Sequence, residues 1–155
     1  MRPWRCGTAY TSFQQPHNTA LGVYMINSES IKKDFYNWID QAVSMNIPDE
    51  TKGFHFNFYE GEDSVHIQLF GMKSFESGED PVRDYWPGNE TFSTEENVFE
   101  IPYEILGEGW ESWLEKTLEF LKEYLVRGNK SKVLKRYQGV GAGFVDGDMY
   151  LIWSN

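Results

Sequence analysis

Cysteine, histidine and positive charge are scarce in this 155-residue chain: one Cys, three His, and 14 Lys and Arg against 24 Asp and Glu. The lone Cys6 excludes an internal disulfide, and a bridge-free chain of this size suits a reducing compartment, so a cytoplasmic location is expected. No run of the roughly 18 apolar residues that would span a bilayer occurs, and Met1-Arg2-Pro3-Trp4-Arg5-Cys6-Gly7 lacks the apolar stretch of a secretory signal. Neither insertion nor secretion is therefore expected. The shortage of bases leaves a formal net charge of -10 and a pI near 4.7. Such a chain is repelled by phosphate backbones, which argues against direct nucleic-acid binding.

What is present suffices for one core. With 40% hydrophobic and 17% aromatic residues, 1–155 reads as a single domain. Ile31, Phe35, Trp38, Ile39, Ala42 and Val43 recur at helical spacing, which predicts a helix over 30–46 capped by Ser28 or Ser30 and stopped before Pro48. Trp110, Trp113, Leu114, Thr117, Leu118, Leu121 and Leu125 form a second stripe, over 110–127. Glu111, Glu115, Glu119 and Glu123 lie on its wet side, and Gly128-Asn129 reads as its stop.

Between Lys52 and Met72 the period changes to two. A turn at Glu60-Gly61-Glu62-Asp63 pairs Phe54 with Leu69, Phe56 with Ile67 and Phe58 with Val65 on one face, leaving His55, Asn57, Tyr59, Ser64, His66 and Gln68 on the other. Asp146-Gly147 predicts a type I′ turn pairing Phe144 with Met149, Ala142 with Leu151 and Val140 with Trp153. Strands are also expected at 20–26 and 98–103, while 73–97 shows no periodicity and reads as a long loop. The order strand, helix, hairpin thus occurs twice, about 80 residues apart. It predicts an α+β fold: an antiparallel sheet of about six strands with two main helices on one side. A duplicated β-α-β-β unit and a coincidence of common elements both explain the repetition.

The acid excess is local. Residues 60–123 hold 17 acids and 4 bases, whereas 124–155 hold 2 acids and 5 bases. Glu60, Glu62, Asp63, Glu76, Glu79, Asp80, Asp84, Glu90, Glu95 and Glu96 fall outside any expected helix, and Tyr85 and Trp86 lie among them. Either they keep the surface solvated, or carboxylates steer a basic partner onto aromatic anchors. The bases after the second helix, Arg127, Lys130, Lys132, Lys135 and Arg136, read as complements to its dipole.

Motifs for catalysis are missing. His55 and His66 share the polar hairpin face and are expected as diagonal neighbours, but without a third ligand at zinc spacing they read as hydrogen-bonded sheet histidines. His17 has no visible partner. Gly139-Val140-Gly141-Ala142-Gly143 precedes a hairpin rather than a helix, so it reads as a strand with one bare face, not a phosphate loop. No metal, cofactor or enzymatic activity is expected. The alternative is a small-ligand module, or an enzyme of unrecognised class working through the His55/His66 face.

Three segments carry a family resemblance: Lys52-Gly53-Phe54-His55-Phe56-Asn57-Phe58-Tyr59, Phe99-Glu100-Ile101-Pro102, and Gly139-Val140-Gly141-Ala142-Gly143-Phe144-Val145-Asp146-Gly147-Asp148. Together they resemble small, acidic bacterial immunity proteins of polymorphic or contact-dependent growth-inhibition toxin systems. The resemblance implies a cytoplasmic antidote that binds a cognate toxin domain, commonly a basic nuclease, and blocks its active site or substrate groove. It implies no particular contact residues.

Overall fold

A computed structural model describes residues 27–76 and 86–155. The expected strand at 20–26, Cys6, His17, Glu79, Asp80, Asp84 and Tyr85 lie outside them, and Trp86 and Pro87 are described by their backbone alone. Helix α1 (Ser28–Ala42) is capped by Asn27 rather than by either serine: Asn27 Oδ1 accepts from the backbone N–H of Glu29 at 2.8 Å and of Ser30 at 3.4 Å. Asn27 holds extended dihedrals, as a cap must, whereas Ser28 and Ser30 are already helical. Phe35, Trp38, Ile39 and Ala42 are its buried face.

Strands β1 (Gly53–Glu60) and β2 (Ser64–Glu76) form the first hairpin. Its register is shifted by two from the expected one: Phe54 faces Gly71, Phe56 faces Leu69 and Phe58 faces Ile67. The turn lies one residue later than the sequence suggests, over Gly61–Ser64 in place of Glu60–Asp63, and closes with the Gly61 N–H on Ser64 O at 2.8 Å. A slip of two leaves every side chain on its expected face. Phe54, Phe56, Phe58, Val65, Ile67 and Leu69 accordingly all enter the core.

Much of the expected loop over 73–97 is strand. β2 continues to Glu76, and β3 (Trp86–Ser93) and β4 (Phe99–Pro102) pair antiparallel with its two halves. They form one edge interrupted at Thr94–Val98. Thr94 spans the gap by donating its N–H to Leu69 O at 3.0 Å, while its Oγ1 accepts the Leu69 N–H at 3.2 Å. A bulge at Gly71/Met72 breaks the alternation, and Pro87 is tolerated because β3 is an edge strand. Both features hid this strand from its pattern.

After β4 come α2 (Tyr103–Leu106), α3 (Trp110–Arg127) and α4 (Ser131–Leu134), then β5 (Gly139–Phe144) and β6 (Tyr150–Ser154). The six-stranded sheet has the order β3-β2-β1-β5-β6, with β4 also on β2. It is mixed rather than wholly antiparallel, because β1 and β5 pair in parallel. The reason is the connection: β4 runs with β1, and a helical crossover returns the chain in its starting direction.

The second hairpin keeps the expected pairing of Val140 with Trp153, then shifts by one, so that Gly141 faces Leu151 and Ala142 faces Tyr150. Neither Asp146 nor Gly147 adopts the positive φ that a type I′ turn needs. Instead the Gly147 N–H bonds Phe144 O at 3.0 Å, while the Val145 N–H reaches Phe58 O at 3.2 Å and extends the β1 ladder.

α1 and α3 lie side by side on one face of the sheet. Tyr36 Oη donates to Phe120 O at 2.8 Å, Tyr124 Oη donates to Asp40 Oδ1 at 2.6 Å, and Lys32 Nζ pairs with Glu123 Oε1 at 3.0 Å. Phe120 and Tyr124 are buried although they fall outside the sequence stripe, because they face α1 rather than the sheet. The bare glycine positions admit an aromatic ring rather than a helix: a Cβ on Gly53 or Gly139 would fall within 2.4 Å or 2.6 Å of the Phe75 ring.

The two halves do not superimpose as copies of one unit. With β1 and β5 parallel and both helices on one face, β2 lies on one side of its partner and β6 on the other. That is a mirror relation, which no rotation produces between chains of L-residues. Coincidence of common elements accounts for the repeated order.

Candidate functional site

The carboxyl ends of the parallel pair β1 and β5 bring two turns and a helix start together. α3 returns against these strands, so Trp110, at its N-terminus, comes to the same end as Glu60 and Phe144. Gly107 and Gly109 precede it at φ 96° and 90°, backbone that side-chain-bearing residues rarely adopt. Ser112 Oγ donates to Leu106 O at 2.6 Å and Trp113 Nε1 to Gly107 O at 2.9 Å, which fixes the helix entry.

Tyr103 joins this entry to the β1–β2 turn. Its backbone N–H donates to Asp63 O at 3.1 Å, and its hydroxyl donates to Gly61 O at 2.6 Å. Burial, then the carboxylates of Glu60 and Asp63, hold its phenol above the ordinary tyrosine range, against the lowering effect of the bond to Gly61. Gly61 itself is required by close approach: an added Cβ would stand 2.6 Å from His66 Nε2 and 2.9 Å from Ser64 O.

Between α3 and the β5–β6 turn lies a hollow of about 400 Å³ lined by Glu60, Trp110, Leu114, Phe144, Asp146, Gly147, Asp148 and Tyr150. Trp110 is 54% exposed, an uncommon position for the largest apolar side chain. The bulge in β6 places Tyr150 opposite Ala142, in line with Phe144 and therefore toward the hollow. Three carboxylates line the hollow with these aromatics, Glu60 from one turn and Asp146 and Asp148 from the other; Glu62 and Asp63 follow Glu60 in its turn, and Glu104, Glu108 and Glu111 lie along the helix entry.

No lysine or arginine occurs in 53–72, 86–115 or 139–155. The bases collect instead near the opposite edge, with Lys52 ahead of β1 and Lys130, Lys132, Lys135 and Arg136 ahead of β5. The described molecule is asymmetric along its strands: the segments at the carboxyl edge carry acids and no base, whereas the amino edge carries both signs, with Asp49, Glu50 and Glu76 among its bases. A field of this kind orients and accelerates the approach of a basic partner to one end.

The expected acidic residues do not form a single patch. Glu60, Glu62 and Asp63 sit on this rim. Glu76, whose backbone pairs with Trp86, lies at the far end of the 13-residue β2, about 40 Å away at the usual strand rise. Glu95 and Glu96 occupy the exposed turn between β3 and β4, where Glu95 O accepts from Gln68 Nε2 at 2.7 Å.

The two histidines are likewise separated. His55 faces Phe70 and His66 faces Tyr59, a spacing of four residues or about 13 Å along the sheet. His55 is 1% exposed, and burial lowers its imidazole to about 4 despite a hydrogen bond with Asn57 that raises it. His66 Nε2 stands 3.8 Å from Glu100 Oε1. Among the described residues no three Cys, His, Asp or Glu side chains are grouped to hold a metal ion, and no helix there is long and apolar enough to cross a membrane.

Sequence reasoning missed Trp110, Tyr103, Asp146 and Asp148 as site residues. Trp110 continues the core stripe by spacing, and only its place in the first helical turn, after two glycines, hints that the sheet does not cover it. Asp146 and Asp148 read as turn residues, and their proximity to Glu60 depends on the parallel pair. No protein-family model matches the chain, and no curated protein shows significant similarity to it.

Proposed function

We propose that this protein is an immunity-type antidote that binds a basic toxin domain, most simply a nuclease, through the acidic, aromatic end of its sheet. One observation carries the reading: the exposed Trp110 stands among carboxylates supplied by two turns, in a stretch of structure without a lysine or arginine. Exposed aromatics ringed by charge are the usual anchors of protein interfaces. Carboxylates would compete with phosphates for a nuclease's cationic groove and speed encounter. A cytoplasmic location follows from that role. The rival reading, an acid–base or ligand site shared by His55 and His66, is weakened by their separation and by the burial of His55.

The test is capture from a native lysate of the source cell at low and high salt, followed by assay of the retained protein on nucleic acid. The expected partner is basic, held at one-to-one ratio and released by salt, and its nuclease activity is abolished by stoichiometric antidote. Joint reversal by Glu60→Lys, Asp63→Lys and Asp146→Lys should slow association by about tenfold or more at low salt. Unchanged association would remove this end of the sheet from the interface, and a retained protein whose activity the antidote leaves untouched would overturn the reading.

A further inference from the structure

We infer that the hollow between α3 and the β5–β6 turn receives an arginine side chain of the partner; this rests on the antidote reading above. Its lining combines two features that a guanidinium uses together. Trp110, Phe144 and Tyr150 offer aromatic surface, with Leu114 beside them, while Glu60 and Asp146 supply carboxylates from two different turns. No lysine or arginine is part of that lining, and no ion pair joins Glu60 or Asp146 to a base among the described residues.

A guanidinium is flat and weakly hydrated, so it can stack on an aromatic face while its edge N–H groups bond carboxylates. An ammonium is compact and strongly hydrated; it would keep the charge attraction and forgo the stacking. The site therefore selects arginine over lysine as well as cation over anion. The floor is rigid, because Phe144 packs edge-on against the buried Phe58 at 5.5 Å and the turn is tied to β1 through the Val145 N–H. The β1 wall is held by its ladder to β2, in which Glu60 faces Val65.

The experiment titrates the purified full chain with acetyl-Arg-Arg-Arg-amide and, at matched ionic strength, acetyl-Lys-Lys-Lys-amide. It follows the Trp110 indole N–H by NMR, assigned with Trp110→Phe. The arginine peptide should shift that indole and the amides of 144–148, and should bind about threefold to tenfold more tightly than the lysine peptide. Trp110→Ala should erase the preference. Glu60→Gln with Asp146→Asn should weaken both peptides, whereas Glu76→Gln should change neither. Equal affinities, or shifts that map to the Glu76 end, would overturn the inference. Its failure is separable from that of the antidote reading. A captured toxin still bound at full strength by Trp110→Ala refutes the arginine hollow alone, and a hollow that selects arginine peptides in a protein that inhibits no toxin refutes the antidote reading alone.

Discussion

The rings of Tyr103 and Trp113 stack 3.8 Å apart and 11° from parallel, so the short helix α2 and the long helix α3 meet face to face where the acidic end begins. Tyr103 also carries the β1–β2 turn through its bonds to Gly61 and Asp63. One residue thereby sets the position of Glu62 and Asp63 relative to Trp110. Tyr103→Phe keeps the stack and removes the hydroxyl bond. It should cost about 1 kcal/mol in urea unfolding and speed amide exchange in the 61–64 turn. Unaltered exchange there would show that the turn holds its shape without Tyr103.

Thr94 is the patch in the interrupted edge, and its hydroxyl accepts the N–H of the buried Leu69 at 3.2 Å. Thr94→Val conserves shape and leaves that donor unpaired. The expected loss is about 1–3 kcal/mol, while Thr94→Ser should recover most of it. Equal stability of the valine and serine variants would indicate that another acceptor takes over.

Gly61 stands where a Cβ would meet Ser64 O at 2.9 Å, a backbone atom that cannot move without opening the turn. Gly61→Ala is therefore expected to destabilise by about 1–3 kcal/mol through overcrowding. The measurement is a thermal melt of the variant with chemical shifts of 60–66. Native shifts and a native melting temperature would contradict the predicted contact.

His55 makes stability depend on pH. Its imidazole titrates near 4 in the fold and near 6.5 when exposed, so the unfolded chain takes up the proton first on acidification. The contribution is complete above about pH 6.5, declines as pH falls through this window, and is gone below about 4. It amounts to about 3 kcal/mol at most. Urea unfolding at pH 7 and pH 4.5 should lose less stability in His55→Gln than in the parent, the difference isolating the histidine from the titrating carboxylates. Parallel losses in both proteins would mean that His55 is not held neutral.

Much of the local structure was legible. Phe54, Phe56 and Phe58 alternate with polar residues, and because the side-chain period is two, even a register error of two put the correct face inward. The 110–127 helix was bounded by its stripe and by Gly128. Less legible were the places where one element meets another. Asn27 preceded the serines as cap, β3 carried its proline on an edge, and the bulge near Ile152 exchanged Leu151 for Tyr150 opposite Ala142.

What the sequence determined by itself was the inventory: an α+β chain, the existence of two long helices with the span of the second, the inward face of the first hairpin, and an acid excess concentrated in the middle; the first helix runs from Ser28 to Ala42 rather than over 30–46. These rest on periodicity and composition, which need only near neighbours in the chain. Tertiary structure alone decided what stands next to what. The crossover from β4 to β5 forced a parallel pair, and that pair carried Asp146 and Asp148 to Glu60 and Trp110. The length of β2 carried Glu76 away from Glu62. Strand direction and order are set by long-range connections, so an acidic run continuous in sequence separates in space, while carboxylates more than 80 residues apart come to line one hollow.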